Sequence, residues 1–351
     1  MKNSKTSNLL RVIAFFLTGV ILVCTFGFTV DGWAQDNIDQ PGYSPPTDDE
    51  NTKVDNPPAD VTPEQPELIF YNPLTGLETT EELASKAPLA YIMDKGAPCF
   101  GLSGAEIIID IPTEEDNRLV CIRTQNDNLW KIGSIAPTRG YISNLCCYFG
   151  ATVISHGKDD IIKYDSCNTD KLFDLQNIPS SYYSEYDNFI YSNSDLLDPI
   201  VSAPVSDMTL PYSFVSNDDK ITYEVPLSRL VVENTELVFN IESGKYSWYE
   251  NGEQKRDLIN GKTIDFTNCL VLFADSTVYD NSDGCQMVMN TIGSGEGYYL
   301  TGGSVAKIKW TSSINGSMSL FNDKGDPLVI NRGELYIRYV RASMMDKIIL
   351  S

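Results

Sequence analysis

Apolar residues fall in many short continuous runs along this chain and in one long run near its start. Between residues 68 and 212 the short runs are Leu89–Met93, which ends at Asp94, Glu106–Ile111, Arg118–Arg123 and Ala151–His156. Runs of this length, rich in β-branched residues and bounded by turn formers, predict buried strands. Before the last of them, Pro137 opens a helical pattern in which Tyr141, Leu145, Tyr148 and Phe149 recur, and Gly150 stops it. A helix feeding directly into a strand implies helices packed on a sheet. From residue 213 onward the pattern is strand after strand: 229–233, 236–240, 269–273, 304–310, 317–321 and 334–340. Glu250-Asn251-Gly252-Glu253 and Asn322-Asp323-Lys324-Gly325 read as hairpin turns between such runs. The expected fold is α+β: an N-terminal domain with a mixed α/β sheet over 68–212, then a β-rich C-terminal domain over 213–351, built as a sandwich or a partly open barrel.

The long run is of another kind. Val12–Val30 carries no charge over 19 residues and follows Lys2, Lys5 and Arg11. A basic start, an apolar stretch and small residues at its end form a secretory signal, and Gly32-Trp33-Ala34 allows cleavage after Ala34. The run is also close to the roughly 20 residues that span a bilayer, so an uncleaved anchor competes. The basic flank would keep its N-terminus in the cytoplasm and the bulk of the chain outside. A lipid on Cys24, in Ile21-Leu22-Val23-Cys24, is the third alternative. Residues 35–67 then hold seven prolines, nine acidic residues and one lysine. Such a stretch buries too little apolar surface to order itself, and its prolines keep it extended. The organisation expected is a signal or anchor over 1–34, an acidic tether over 35–67, and two domains beyond, held outside the membrane.

Charge narrows the function. The chain carries a formal net charge of -22, and the part after residue 34 has 23 basic against 47 acidic residues. Nucleic acid and anionic lipid surfaces are therefore the partners this charge favours least, because phosphate affinity rests on Lys and Arg. Eight cysteines are present, seven of them beyond the apolar run, so at least one is unpaired or pairs between molecules. No CxxC occurs, which removes zinc-ribbon and thioredoxin readings. A single histidine and no HExxH leave no metal site, and no cofactor motif appears.

Four residues stand out as candidate ligand contacts: Asp94, Arg118, Arg139 and His156. Asp94 and His156 end predicted strands, the edge where open α/β sheets bind ligands. Arg139 falls in the first turn of the predicted helix, where a cation opposes the helix dipole and needs a carboxylate or an anionic ligand to hold it. Arg118 follows Glu114-Glu115-Asp116, so an internal ion pair and a ligand contact are both open to it. His156 is either a base or a hydrogen-bonded structural residue. Gly293-Ser294-Gly295-Glu296-Gly297 imitates a phosphate loop but lacks its Lys-Ser/Thr and leads into Tyr298-Tyr299-Leu300, a strand; a glycine-rich hairpin is expected. The tyrosines at 182, 183, 186 and 191 either stack on sugars or cover a core edge.

Several motifs together carry a resemblance. They are Asn72-Pro73-Leu74-Thr75-Gly76-Leu77, Pro88-Leu89-Ala90 through Asp94, Gly101 through Glu106, Lys131-Ile132-Gly133 through Thr138-Arg139, and the strand ending at His156. In the second half they are Asp257, Gly293 through Tyr299, and Lys309-Trp310. In this order and spacing the chain resembles the YerB-like family of bacterial envelope proteins, which carries a two-part domain of unknown function. The chain departs from the family pattern at Gly157-Lys158-Asp159-Asp160 and at Ser134–Pro137. The resemblance implies an exported, often lipid-anchored protein and supplies no activity. The function expected is that of a membrane-associated envelope protein that binds an envelope partner or cell-wall component. The alternative is an extracytoplasmic hydrolase with Asp94 or His156 as acid or base and Arg118 and Arg139 gripping an anionic group.

Overall fold

The computed structural model describes residues 68–351 apart from 115, 125–128, 159–170, 202–207, 217–218, 282–283 and 315. The export segment, Cys24, Ala34 and the tether lie outside the described residues. Residues 65–351 form one compact unit.

The apolar runs form strands close to where they are expected: Leu89–Asp94, Ile107–Pro112, Asn117–Arg123 and Thr152–Ser155, then Arg229–Val232, Thr235–Asn240, Asn268–Ala274, Ser304–Ser312, Met318–Asn322 and Leu335–Arg341. Most join one large open sheet. Its order runs 225–226, 304–312, 293–301, 268–274, 335–341, 107–112, 117–123, 89–94, 132–135, 189–192, 184–186. Leu335–Arg341 lies parallel to Asn268–Ala274 on one side and to Ile107–Pro112 on the other. The sheet therefore interleaves strands from both sides of residue 212. The fold is β-rich with few helices, and no sheet closes among the described residues.

The sheet is buried on both faces, which explains why its strands read as unbroken apolar runs rather than alternating ones. Ile107, Ile109, Ile111, Val120, Ile122, Leu270, Leu272, Leu335 and Ile337 face one core. The helix Gly140–Cys147 seals that side with Tyr141, Ile142 and Leu145. Ile108, Leu119, Cys121, Cys269, Val271, Tyr336 and Val340 face the other. There a second sheet packs, with order 253–254, 245–250, 235–240, 229–232, 349–350, and contributes Leu230, Leu237, Tyr246 and Trp248.

Two local expectations shift. The helix starts at Gly140 rather than at Pro137, and Arg139 is its N-cap, with extended backbone (φ -127°, ψ 154°). Thr138 is drawn instead into a bridge with Lys158. The glycine-rich run is strand Gly293–Thr301. Gly295 stands opposite Trp310, and a Cβ on it would lie 2.5 Å from the Phe273 carbonyl oxygen and 2.6 Å from the Trp310 indole nitrogen. Gly295 makes room for the indole, which donates to the Phe273 carbonyl at 3.0 Å. Cys147 is disulfide-bonded, whereas Cys99, Cys121, Cys146, Cys269 and Cys285 are free thiols.

Candidate functional site

The four candidate residues resolve into separate contacts. Asp94 and Arg118 stand directly opposite each other on neighbouring antiparallel strands and pair at 3.5 Å. Asp94 also shapes the loop that follows it. Its carboxylate accepts from the Gly96 amide at 3.2 Å, and its carbonyl accepts from the Ala97 amide at 3.2 Å. Arg139 grips Glu114 with both terminal nitrogens, at 2.5 and 2.6 Å. Burial would raise the Glu114 carboxyl, but this fork of donors outweighs it and holds the group below its ordinary value. His156 is half-buried. Its backbone amide donates to Ala136, and its ring meets Tyr183 edge to face at 5.2 Å. The arginines thus face carboxylates of this chain.

A different set of charges converges beside them, where the two sheets meet. In the parallel register Arg338 stands opposite Asp110 and Tyr336 opposite Ile108. Alternation puts Ile108, Asp110, Tyr336 and Arg338 on the face turned to the second sheet. Asp110 is fully buried. It accepts from the Arg338 guanidinium and the Asn117 amide, from the Tyr336 hydroxyl at 2.7 Å and from the Lys95 ammonium at 2.9 Å. Lys95 reaches on to Glu250 at 2.9 Å and Thr235 at 3.1 Å. Arg338 spans to Glu233 at 2.6 Å, which Arg341 meets from outside at 3.1 Å. Burial alone would push the Asp110 carboxyl up. Arg338 and Lys95 outweigh it and hold the group well below the usual carboxylate range. Burial would lower Arg338, and Asp110 instead drives it above its ordinary value. Lys95, Arg338 and Arg341 balance Asp110, Glu233 and Glu250, so the centre is charge-neutral and clasps the two sheets together.

Sequence reasoning passed over this centre, though it left a signal. Asp110 and Arg338 are lone charges inside otherwise apolar strands, at positions that must be buried on both faces. A buried charge requires a partner, and these two are of opposite sign.

The centre has one open side. A cleft of about 510 Å³ lies between the loop Lys95–Cys99 and the hairpin around Asn251-Gly252. That hairpin has the expected tight turn, with φ of 52° and 80° at Asn251 and Gly252. Such positive values at both central residues match the twist of the flanking strands. Lys95 and Glu250 line the cleft, with Asp116, Gln254, Lys255 and Leu258 around them. Glu250 Oε2 accepts from Lys95, Thr235 at 3.1 Å and the Trp248 indole at 3.2 Å. Its other oxygen, Oε1, is buried and has no hydrogen-bond partner among the described residues. Cys99, at the far end of the loop, is no nucleophile: burial pushes its thiol up to about 11. A larger groove of about 730 Å³ runs between residues 221–225 and 322–329, but its walls are mostly apolar. Asp94, Arg118, Arg139 and His156 line neither cleft. Among the described residues no three His, Cys, Asp or Glu side chains are grouped to hold a metal ion, and no helix is long and apolar enough to cross a membrane.

Comparison with known proteins places this architecture. Residues 227–337 match the protein of unknown function (DUF3048) C-terminal domain. The structure is similar to the crystal structure of YerB protein from Bacillus subtilis, with a TM-score of 0.67 and 20% sequence identity, covering 80% of this chain and 99% of that chain. No curated protein matches the chain. The chain thus matches the DUF3048 C-terminal domain over residues 227–337 and shares its fold with YerB, in keeping with the resemblance that the motifs from Asn72 to Trp310 carry.

Proposed function

We propose that this is an exported, membrane-associated envelope protein that binds a cell-wall component in the cleft beside Lys95 and Glu250, and that it does not hydrolyse it. The location rests on residues 1–67: a basic start, an apolar run and an acidic, proline-rich tether. The binding reading rests on one observation, the fate of the acids. The hydrolase alternative, with a carboxyl group as general acid or base, needs that group able to gain or lose a proton near neutral pH. Asp94, Asp110 and Glu114 are each opposed by a cation of this chain, and for Asp110 and Glu114 those cations favour the ionised form. The hydrolase alternative also needs Asp94, Arg139 and His156 around one substrate, whereas they engage Arg118, Glu114 and Tyr183 respectively. The cleft has a mixed polar lining with Lys95, Asp116, Gln254 and Lys255, which suits recognition.

The reading is tested by retention of envelope material on the full-length chain. Wild type is expected to retain it, and Leu258→Trp, which fills the cleft from its exposed rim, to lose it. Equal retention by both contradicts the assignment of the cleft.

A further inference from the structure

Away from the cleft, a hairpin leaves one long strand edge open to solvent. We infer that the edge of Ser276–Asn281 takes an extended, basic peptide segment of a partner protein as an added strand.

The hairpin strands Ser276–Asn281 and Gly284–Met289 form a sheet of their own. They pair without a register shift, from Ser276 with Met289 to Asn281 with Gly284. Their surroundings differ. Gln286, Met287, Val288 and Met289 are buried, so the inner strand is covered on both faces there. On the outer strand Ser276, Thr277, Val278, Tyr279 and Asp280 are all exposed, Val278 at 61% and Tyr279 at 40%.

One hydrogen bond tells which backbone groups of the outer strand are free. The Met287 amide donates to the Glu114 carboxylate at 3.2 Å, so it turns away from the outer strand. Residues directly opposite in an antiparallel ladder either face each other or both face away. Val278, opposite Met287, therefore directs its N–H and C=O to the open side. Ser276 and Asp280 do the same, two residues to either side. The alternate residues face inward: the Asp275 carbonyl accepts from the Asn290 amide at 2.8 Å. Three residues in line thus present unpaired donors and acceptors, which is what strand addition requires.

Sheet edges are ordinarily guarded by shortness, by Pro or Lys, or by a bulge. The large sheet ends at 225–226, which includes Pro226, and at 184–186; the second sheet ends at 253–254 and 349–350. Those edges are two or three residues long. Ser276–Asn281 is six residues long, has neither Pro nor Lys, and carries the strand formers Thr277, Val278 and Tyr279.

Charge selects the occupant. From Thr263 to Ala306 the sequence holds no Lys, Arg or His, while Asp275, Asp280 and Asp283 fall in or beside the hairpin. Arg139, which shares Glu114 with the inner strand, is held by that carboxylate. A second copy of this edge would bring two acidic strands together, and like charges across strands destabilise a sheet. A segment alternating cations with β-branched residues fits better. Its cations lie on the face of Asp280, and its β-branched side chains pack against Tyr279 and Thr277 on the other.

The test titrates a short blocked peptide alternating Lys with Val into the full-length chain. It is expected to bind and to slow hydrogen exchange at the amides of Ser276, Val278 and Asp280. The same peptide with Glu in place of Lys should bind at least about tenfold more weakly, and so should one whose central Val is Pro, which keeps the charge and breaks the ladder. Val278→Pro removes an outward N–H and spares the pairing with Gly284–Met289, a place where an edge strand tolerates Pro. It should weaken the Lys–Val peptide at least about tenfold with the unfolding midpoint in place. Asp280→Lys, a surface change that puts a cation on the edge, should also weaken it and should admit the Glu peptide. Absence of binding, equal binding of the Pro-containing peptide, undiminished binding to both variants, or a wild-type dimer in sedimentation equilibrium that Val278→Pro disperses overturns the inference. None of these outcomes bears on the cleft beside Lys95, which Leu258→Trp tests separately.

Discussion

Arg338 stands directly across from Asp110 in a parallel strand pair, and its guanidinium binds that carboxylate where neither side chain reaches water. The two residues are far apart in sequence, and their union joins the last long strand of the chain to Ile107–Pro112 within the large sheet. Pairing in the interior offsets the cost of burial only while every partner is present. Asp110→Asn leaves Lys95 and Arg338 buried without their shared anion. It is expected to cost about 3–5 kcal/mol, read from urea unfolding monitored by tryptophan fluorescence. A loss below about 1 kcal/mol would mean that the centre is not what clasps the sheets.

The same carboxylate sets the acid limit of the fold. Its folded value lies below its unfolded one, ordinarily about 3.9. The stabilisation is therefore complete above that unfolded value and is lost as pH falls through it toward the folded value. Glu114 and Asp257 are shifted in the same direction. Glu106 is shifted the opposite way, raised by burial, and gains relative stability as it protonates. Wild type should lose stability steeply below about pH 4, and Asp110→Asn should show a flatter decline over that range. Parallel curves for the two proteins would remove Asp110 from the account.

Gly295 is tested by the smallest possible addition. A methyl group there meets the Phe273 carbonyl and the Trp310 indole at distances no packed atoms tolerate. Overpacking of this kind costs about 1–3 kcal/mol. Gly295→Ala should lower the thermal midpoint and shift the Trp310 emission, whereas Gly293→Ala, which meets nothing within 4 Å, should leave the Trp310 emission in place.

Thiol chemistry should single out one residue among those described. Cys285 is exposed, and Cys99, Cys121, Cys146 and Cys269 are buried. Burial pushes Cys99 up to about 11 and Cys146 up to about 12. Because the thiolate is the reactive form, Cys285→Ser should remove a fast phase of disulfide exchange with an aromatic disulfide reagent in the native chain. Persistence of that phase would place the reactive thiol elsewhere.

Much of the strand pattern was legible because the large sheet is covered on both faces, so runs such as Glu106–Ile111 and Cys269–Phe273 stand out without any need to find a period. Which strand lies beside which was not legible. The parallel placement of Leu335–Arg341 between Asn268–Ala274 and Ile107–Pro112 depends on contacts across more than half the chain, and no local turn encodes it. Arg139 was singled out for opposing a helix dipole, and Glu114 supplies the carboxylate that holds it. The helix nevertheless starts at Gly140, three residues after Pro137, with Arg139 as its N-cap, because a bridge from Thr138 to Lys158 competes for the first turn. Lys95 and Glu250 escaped notice for a different reason. Both sit beside turn residues, Gly96 and Asn251, where a charge is ordinarily solvated, and only the meeting of the two sheets encloses them.

The central claim is that the chain binds a wall component and leaves it intact. The direct measurement is to incubate the full-length chain with purified, insoluble cell walls and to follow two quantities in one sample: protein that sediments with the walls, and soluble wall fragments released over time. The account predicts saturable sedimentation that Leu258→Trp abolishes, with fragment release no faster than from walls alone. Release that rises with protein concentration and disappears in Asp94→Asn or His156→Gln would contradict it and restore the hydrolase.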